Sequence, residues 1–126
     1  MNLVDSSGWL EYFADGPNAE CFAPSIEDTA NLIVPSIIIY EVFKKVLQQR
    51  DEASALQSVA FIYQGKVVEL DAGIALEAAR ISADIFLPMA DSIIMATARR
   101  YEAVIWTQDS DFQNIEGVRY FAYMGK

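Results

Sequence analysis

The most constraining feature of this 126-residue sequence is its alternation of short, wholly apolar runs with longer stretches of helical periodicity. Leu32-Ile33-Val34 and Val104-Ile105-Trp106 carry no polar residue, the pattern of strands covered on both faces. Asn2-Leu3-Val4, Val67-Val68-Glu69-Leu70 and Val118 to Tyr123 are the other strand candidates. Between them, Ser7 is placed to cap a helix that Gly16-Pro17 stops, and Asn18 to Thr29 reads as short helical turns. Pro35-Ser36 suits the start of a helix reaching about Arg50, and Asp51 begins another reaching Tyr63. Asp71 caps a helix in which Ile74, Ala78, Ile81 and Ile85 recur at helical spacing. Leu87-Pro88 breaks it, and a last helix covers roughly Ala90 to Tyr101. Strands separated by helices predict βαβ units: an α/β/α sandwich around a central, mostly parallel sheet. The length is that of one domain, expected over 1–126.

Composition then removes several kinds of chemistry. The chain has no histidine, so imidazole serves neither as base nor as metal ligand. A lone Cys21 excludes a disulfide framework and a cysteine zinc site, and reads as a small buried residue. No apolar run approaches the roughly 20 residues that span a bilayer. The first residues lack a basic start and a long apolar stretch, so a cytoplasmic setting is expected. With 18 Asp and Glu against 9 Lys and Arg, the formal net charge is -9, which argues against a broad basic face for nucleic acid. A divalent cation held by carboxylates would instead present positive charge to phosphate at one point.

In a parallel α/β sheet, ligands sit beyond the carboxyl ends of the strands. The polar residues expected there are carboxylates. Asp5 follows the first strand, and Asp109 and Asp111 follow the fourth. Glu41 and Asp91 lie at apolar-rich helical positions, in Ile37-Ile38-Ile39-Tyr40-Glu41-Val42 and Met89-Ala90-Asp91-Ser92-Ile93. Such a set repels itself unless Mg2+ or Mn2+, which prefer carboxylate oxygen, sits between its members. Each residue also has a plainer reading. Asp5 and Asp109 could cap the elements that follow, Asp91 could favour a helix dipole, and Glu41 could pair with Lys45 one turn on. Asp111 has the weakest case for function, since its neighbour Phe112 alone explains a turn. Trp9, Tyr12 and Phe13 read as core or interface, and Lys44-Lys45 and Arg99-Arg100 as helix-surface charge.

Met1-Asn2-Leu3-Val4-Asp5-Ser6-Ser7 resembles the opening of PIN-domain ribonucleases, in which an Asp ends the first strand and small hydroxyl residues follow. Pro35 to Val42 resembles the segment bearing that family's helical Glu. Leu87-Pro88-Met89-Ala90-Asp91-Ser92-Ile93-Ile94 and Val104-Ile105-Trp106-Thr107-Gln108-Asp109-Ser110-Asp111 resemble its last two motifs. The small form is similar to the VapC toxins of VapBC toxin–antitoxin pairs. That resemblance implies a PIN-like sandwich and a Mg2+- or Mn2+-dependent endoribonuclease. It also implies a homodimer that cleaves RNA and is inhibited by a cognate antitoxin. Carried over by position, Asp5, Glu41, Asp91 and Asp109 are the catalytic and metal-binding quartet, with Thr107 as a polar supporter and Asp111 as an extra carboxylate.

Two alternatives have distinct signatures. A phosphoaspartyl receiver would want a lysine after a late strand, and none lies between Lys66 and Lys126. A dehalogenase-type phosphatase would want Asp two residues after Asp5, where Ser7 stands. A catalytically silent PIN-like binding module is the other alternative, and the intact quartet speaks against it. The apolar residues spread over Ile37 to Tyr63, among them Tyr40, Phe43, Leu47 and Leu56, exceed what one face against a sheet needs, and predict partner surfaces for a second copy and an antitoxin.

Overall fold

The computed structural model describes residues 1–125, and Lys126 lies outside the described residues. Five strands form one sheet: β1 (Asn2–Val4), β2 (Leu32–Pro35), β3 (Lys66–Val68), β4 (Val104–Thr107) and β5 (Val118–Tyr120). Their order is β3-β2-β1-β4-β5 and every adjacent pair is parallel. Leu3 of β1 lies opposite Ile33 of β2 and Ile105 of β4, and all three are at most 1% exposed, so the continuous apolar runs form the floor of the core.

Six helices make the connections: α1 (Ser6–Phe13), α2 (Ala19–Glu27), α3 (Ser36–Gln49), α4 (Glu52–Ile62), α5 (Ala72–Ile85) and α6 (Met89–Arg100). Right-handed crossovers put α1 to α4 on one face of the sheet and α5 and α6 on the other, giving the α/β/α sandwich. Asp51 and Asp71 cap α4 and α5 as expected, accepting from the N–H groups of Ser54 and Ile74. No helix among the described residues is long and apolar enough to cross a membrane.

The boundaries differ from expectation in four places. α1 starts at Ser6 with Asp5 at its N-cap position, so Ser7 lies inside the helix and does not cap it. Asn18 to Thr29 holds one continuous helix, α2, although Pro24 lies inside it. Packing outweighs propensity there: Phe22, Ser25 and Ile26 are buried, while Pro24 and Glu20, whose carbonyl the proline cannot bond, face solvent. β3 starts at Lys66 and ends before Glu69, which with Leu70 is exposed. β5 stops at Tyr120: the Phe121 N–H still donates to the Thr107 carbonyl, but the Ala122 carbonyl turns away to the Asn18 side chain.

The reversal of strand order falls between β1 and β4, where the following connections leave in opposite directions. This is the switch point at which parallel α/β sheets open a crevice. Asp5 leaves the end of β1 there, held by its N–H to the Trp106 carbonyl at 3.0 Å.

Candidate active site

Five carboxylates meet above this switch point. Asp5 extends β1, Asp109 and Asp111 follow β4, Asp91 sits in the first turn of α6 and Glu41 in the second turn of α3. Helices that run back against a parallel sheet start at the carboxyl edge of the strands, which is why residues so far apart in sequence converge.

Asp5 is 2% exposed and its carboxylate makes no cap bond to α1. Instead its Oδ2 accepts from the hydroxyls of Ser7 and Thr107, both at 2.9 Å. Each hydroxyl has one proton and gives it to Asp5, so both then act as acceptors. Ser7 Oγ accepts the Gln108 N–H at 3.1 Å and Thr107 Oγ1 the Asp109 N–H at 2.9 Å. The start of α1 and the loop after β4 are thereby tied to one oxygen. Burial raises the Asp5 pKa, the two hydroxyl bonds oppose this, and the charge of Asp109 raises it further.

Asp91, Asp109 and Asp111 each offer a carboxylate oxygen, and these atoms lie within 4.8 Å of one another. Burial, a proton shared with Asp111, and the charges of Asp109, Asp5 and Asp111 push the Asp91 pKa up to about 8. Glu41 is held above the ordinary carboxylate range, first by burial and then by the charges of Asp5 and Asp109, with Ser6 opposing. Its Oε1 is buried and has no hydrogen-bond partner. An orphaned carboxylate oxygen costs stability, and Glu41 feels the charges of Asp5 and Asp109 with no ion-pair partner among the described residues. Among the described residues the ion pairs are Glu77–Arg80 and Asp71–Arg100, both elsewhere. The expected pairing of Glu41 with Lys45 does not form.

The donor set suits a hard divalent cation. It consists of carboxylate oxygens alone, and their spacing approaches the roughly 4.2 Å between opposite ligands of an octahedral Mg2+ ion. The plainer reading of Asp109 survives beside this one, because its side chain also caps the next turn by accepting the Asp111 N–H at 2.9 Å. Asp111, ranked lowest from sequence, stands in the tightest group; its placement two residues beyond Asp109 on a 3-10 turn was the signal available. The buried Glu11, Asn18 and Gln108, which brace the loop carrying Asp109, went unnoticed in the sequence, since nothing in their spacing marks them.

A cleft of about 940 Å³ leads from Asp5 and Asp109 along α1 to the α3–α4 hairpin. Leu10, Phe13, Val46 and Phe61 give it an apolar wall, while Lys45 and Arg50 line its far end. Phe13 and Phe61 meet edge to face at 5.7 Å, with Trp9 stacked behind Phe13, so this wall is a rigid aromatic cluster.

The same fold occurs in solved structures. A toxin–antitoxin complex from Klebsiella pneumoniae superposes with a TM-score of 0.77 at 20% identity, covering 94% of this chain and 96% of that one. VapC20 of Mycobacterium tuberculosis, described as a sarcin–ricin loop cleaving toxin, gives 0.77 at 13% identity, covering 92% and 95%. DNA-bound VapBC from Salmonella typhimurium gives 0.73 at 20% identity over 96% and 98%. No curated protein matches the chain in sequence. The PIN domain family, however, matches residues 3–118, nearly the whole sandwich and every carboxylate above. The chain belongs to the PIN domain family.

Proposed function

We propose that this chain is a divalent-metal-dependent endoribonuclease, the toxin of a toxin–antitoxin pair acting in the cytoplasm. The observation that carries the reading is the convergence of Asp5, Glu41, Asp91 and Asp109, joined by Asp111, with no ion-pair partner among the described residues. Gathering such charge in a partly buried site is costly, and a bound divalent cation would offset that cost.

Asp91, Asp109 and Asp111 would hold Mg2+ or Mn2+, with Asp5 and Glu41 completing the set directly or through water. The ion supplies Lewis acidity, neutralising charge on the phosphate and lowering the pKa of water. The chain's residues do the rest. Ser7 and Thr107 fix Asp5 by occupying Oδ2, and neither takes Oδ1. Asp91, protonated in the metal-free site, would have to give up that proton to serve as a ligand. Glu41 brings a buried, unpartnered oxygen to the set, which would help to hold the ion. Without histidine, no imidazole pair competes with this route.

The cleft beside the site is the expected seat of the antitoxin. An apolar segment along Leu10, Phe13 and Phe61 would bring an arginine to the carboxylates, where its planar fork bridges two of them in place of the metal. Tyr40, Leu47, Leu56 and Tyr63 remain exposed on α3 and α4 and suit a homodimer contact. The deciding experiment incubates the antitoxin-free protein with structured RNAs in Mg2+, Mn2+ or EDTA. Cleavage is expected with either metal and not in EDTA, and Asp5→Asn and Asp91→Asn should abolish it while leaving the circular dichroism unchanged. Cleavage that persists in EDTA overturns the mechanism; a folded protein inert with every metal and RNA favours a silent binding module.

A further inference from the structure

Glu11, in the middle of α1, is 7% exposed and forms no ion pair among the described residues. Both its oxygens accept. Oε2 takes the Asn18 backbone N–H at 2.7 Å and Oε1 takes the Gln108 side-chain Nε2 at 3.1 Å. The chain closes tightly over it: a Cβ at Gly16 would lie 2.4 Å from the carboxylate.

The direction of these bonds is fixed from outside. The Ala122 carbonyl only accepts, so Asn18 Nδ2 must face it, at 3.0 Å. The same nitrogen donates to Gln108 Oε1 at 3.0 Å, which turns Gln108 Nε2 towards Glu11. Two donors therefore converge on position 11, and only a carboxylate offers two acceptors there. A glutamine would set N–H against N–H. In a chain already at -9, a buried charge with no ion-pair partner among the described residues is costly unless its geometry is needed. What it holds is Gln108, the residue between Thr107 and Asp109, whose backbone N–H bonds Ser7 Oγ and so continues to Asp5.

We infer that Glu11 is a positioning residue: through Gln108 and Asn18 it fixes the loop carrying Asp109, and the C-terminal segment behind it, at the spacing the metal site requires. This rests on the metal-site reading above. Bracing partners of metal ligands typically change affinity about 10- to 100-fold when lost.

Calorimetric Mn2+ titration of the metal-free protein tests it, at a temperature where circular dichroism shows each variant folded. Glu11→Gln removes a charge and breaks the donor–acceptor pattern. Gln108→Glu adds a charge and breaks it too, by setting two carboxylates face to face. Each is expected to weaken Mn2+ binding about tenfold or more. The combined Glu11→Gln/Gln108→Glu protein keeps the net charge and restores the pattern between 11, 18 and 108: the amide at 11 accepts from Asn18 and donates to the carboxylate at 108, and only the long 3.5 Å bond from Gln108 Nε2 to the Ser7 carbonyl is given up. Its affinity should return to within about threefold of the parent. If Gln108→Glu strengthens binding while Glu11→Gln weakens it, only charge is at work and the inference fails. It also fails if Glu11→Gln binds like the parent, or if the combined protein stays as weak as the singles or does not fold. A parent that binds no Mn2+ is a separate result, and overturns the metal site itself.

Discussion

Asp91 makes the metal-free protein's stability run the unusual way with pH. In the unfolded chain its carboxyl ionises near the ordinary 3.8; in the folded chain burial, the bond with Asp111 and the charges of Asp109 and Asp5 push it to about 8. The folded state thus holds a proton that the unfolded state has lost throughout that interval. Stability from this group is complete below about pH 4 and falls as pH rises through 8. The interval bounds the loss at about 6 kcal/mol, from roughly 1.4 kcal/mol per pH unit. Because its charged neighbours Asp109 and Asp111 are half-buried and exposed, water screens the repulsion, and about 2–3 kcal/mol is the working figure. Asp5 and Glu41, both raised, act in the same direction. No histidine titrates in the window to obscure it.

Asp91→Asn isolates the effect. The amide keeps a donor towards Asp111 at every pH and never ionises. In EDTA, urea unfolding should show the parent losing stability from pH 5 to pH 8. The variant should be level with it at pH 5 and about 2–3 kcal/mol more stable at pH 8, with midpoints moving at constant m. A parent whose stability is flat or rises with pH, or a variant running parallel to it, would refute the reasoning.

Three further outcomes follow from the same geometry. Mn2+ binding at pH 7 should release about one proton, read from calorimetry in buffers of different ionisation enthalpy, because Asp91 must deprotonate to ligate. Thr107→Val strips the donor from Asp5 and the acceptor from the Asp109 N–H; it should cost about 1–3 kcal/mol in urea unfolding and weaken Mn2+ binding roughly 10- to 100-fold, with Thr107→Ser close to the parent. Phe86 adopts a left-handed conformation at φ 61° after α5 and is 87% exposed, so thermal unfolding of Phe86→Gly should show a gain of about 0.5–1 kcal/mol.

Much of this architecture was legible because apolar periodicity is a local property. Leu32-Ile33-Val34 and Val104-Ile105-Trp106 announce buried strands by themselves, and Asp51 and Asp71 announce helix starts. The convergence of Asp5, Asp91 and Asp109 followed from topology, since in a parallel sheet everything after a strand or before a returning helix shares one edge. What stayed hidden depends on side-chain direction. Asp5 reads as a cap in sequence, and only the approach of Thr107 from β4 shows its oxygen turned to hydroxyls instead. Glu41 shares a helical row with Lys45, yet Glu41 is half-buried towards the acids while Lys45 stands exposed in the cleft wall. Glu11, Asn18 and Gln108 belong to one network because the chain closes over Gly16, a contact no spacing rule contains.

The distribution of charge, more than its sum, reconciles an acidic protein with a nucleic-acid substrate. Away from the cleft, Asp71 and Glu77 meet arginines, and Asp51 meets a backbone N–H, so their charge is answered locally. At the switch point five carboxylates converge with no ion pair among the described residues, and one keeps a proton for want of a better partner. A metal-free set of this kind would repel phosphate and attract an arginine, the state that the proposed inhibitor would recognise. Filling the same oxygens with a divalent cation would invert the local field there and present positive charge to the proposed RNA substrate, with Lys45 and Arg50 farther along the same cleft. On this view the metal would relieve the repulsion stored in the fold, and metal and inhibitor would exclude one another through the same atoms.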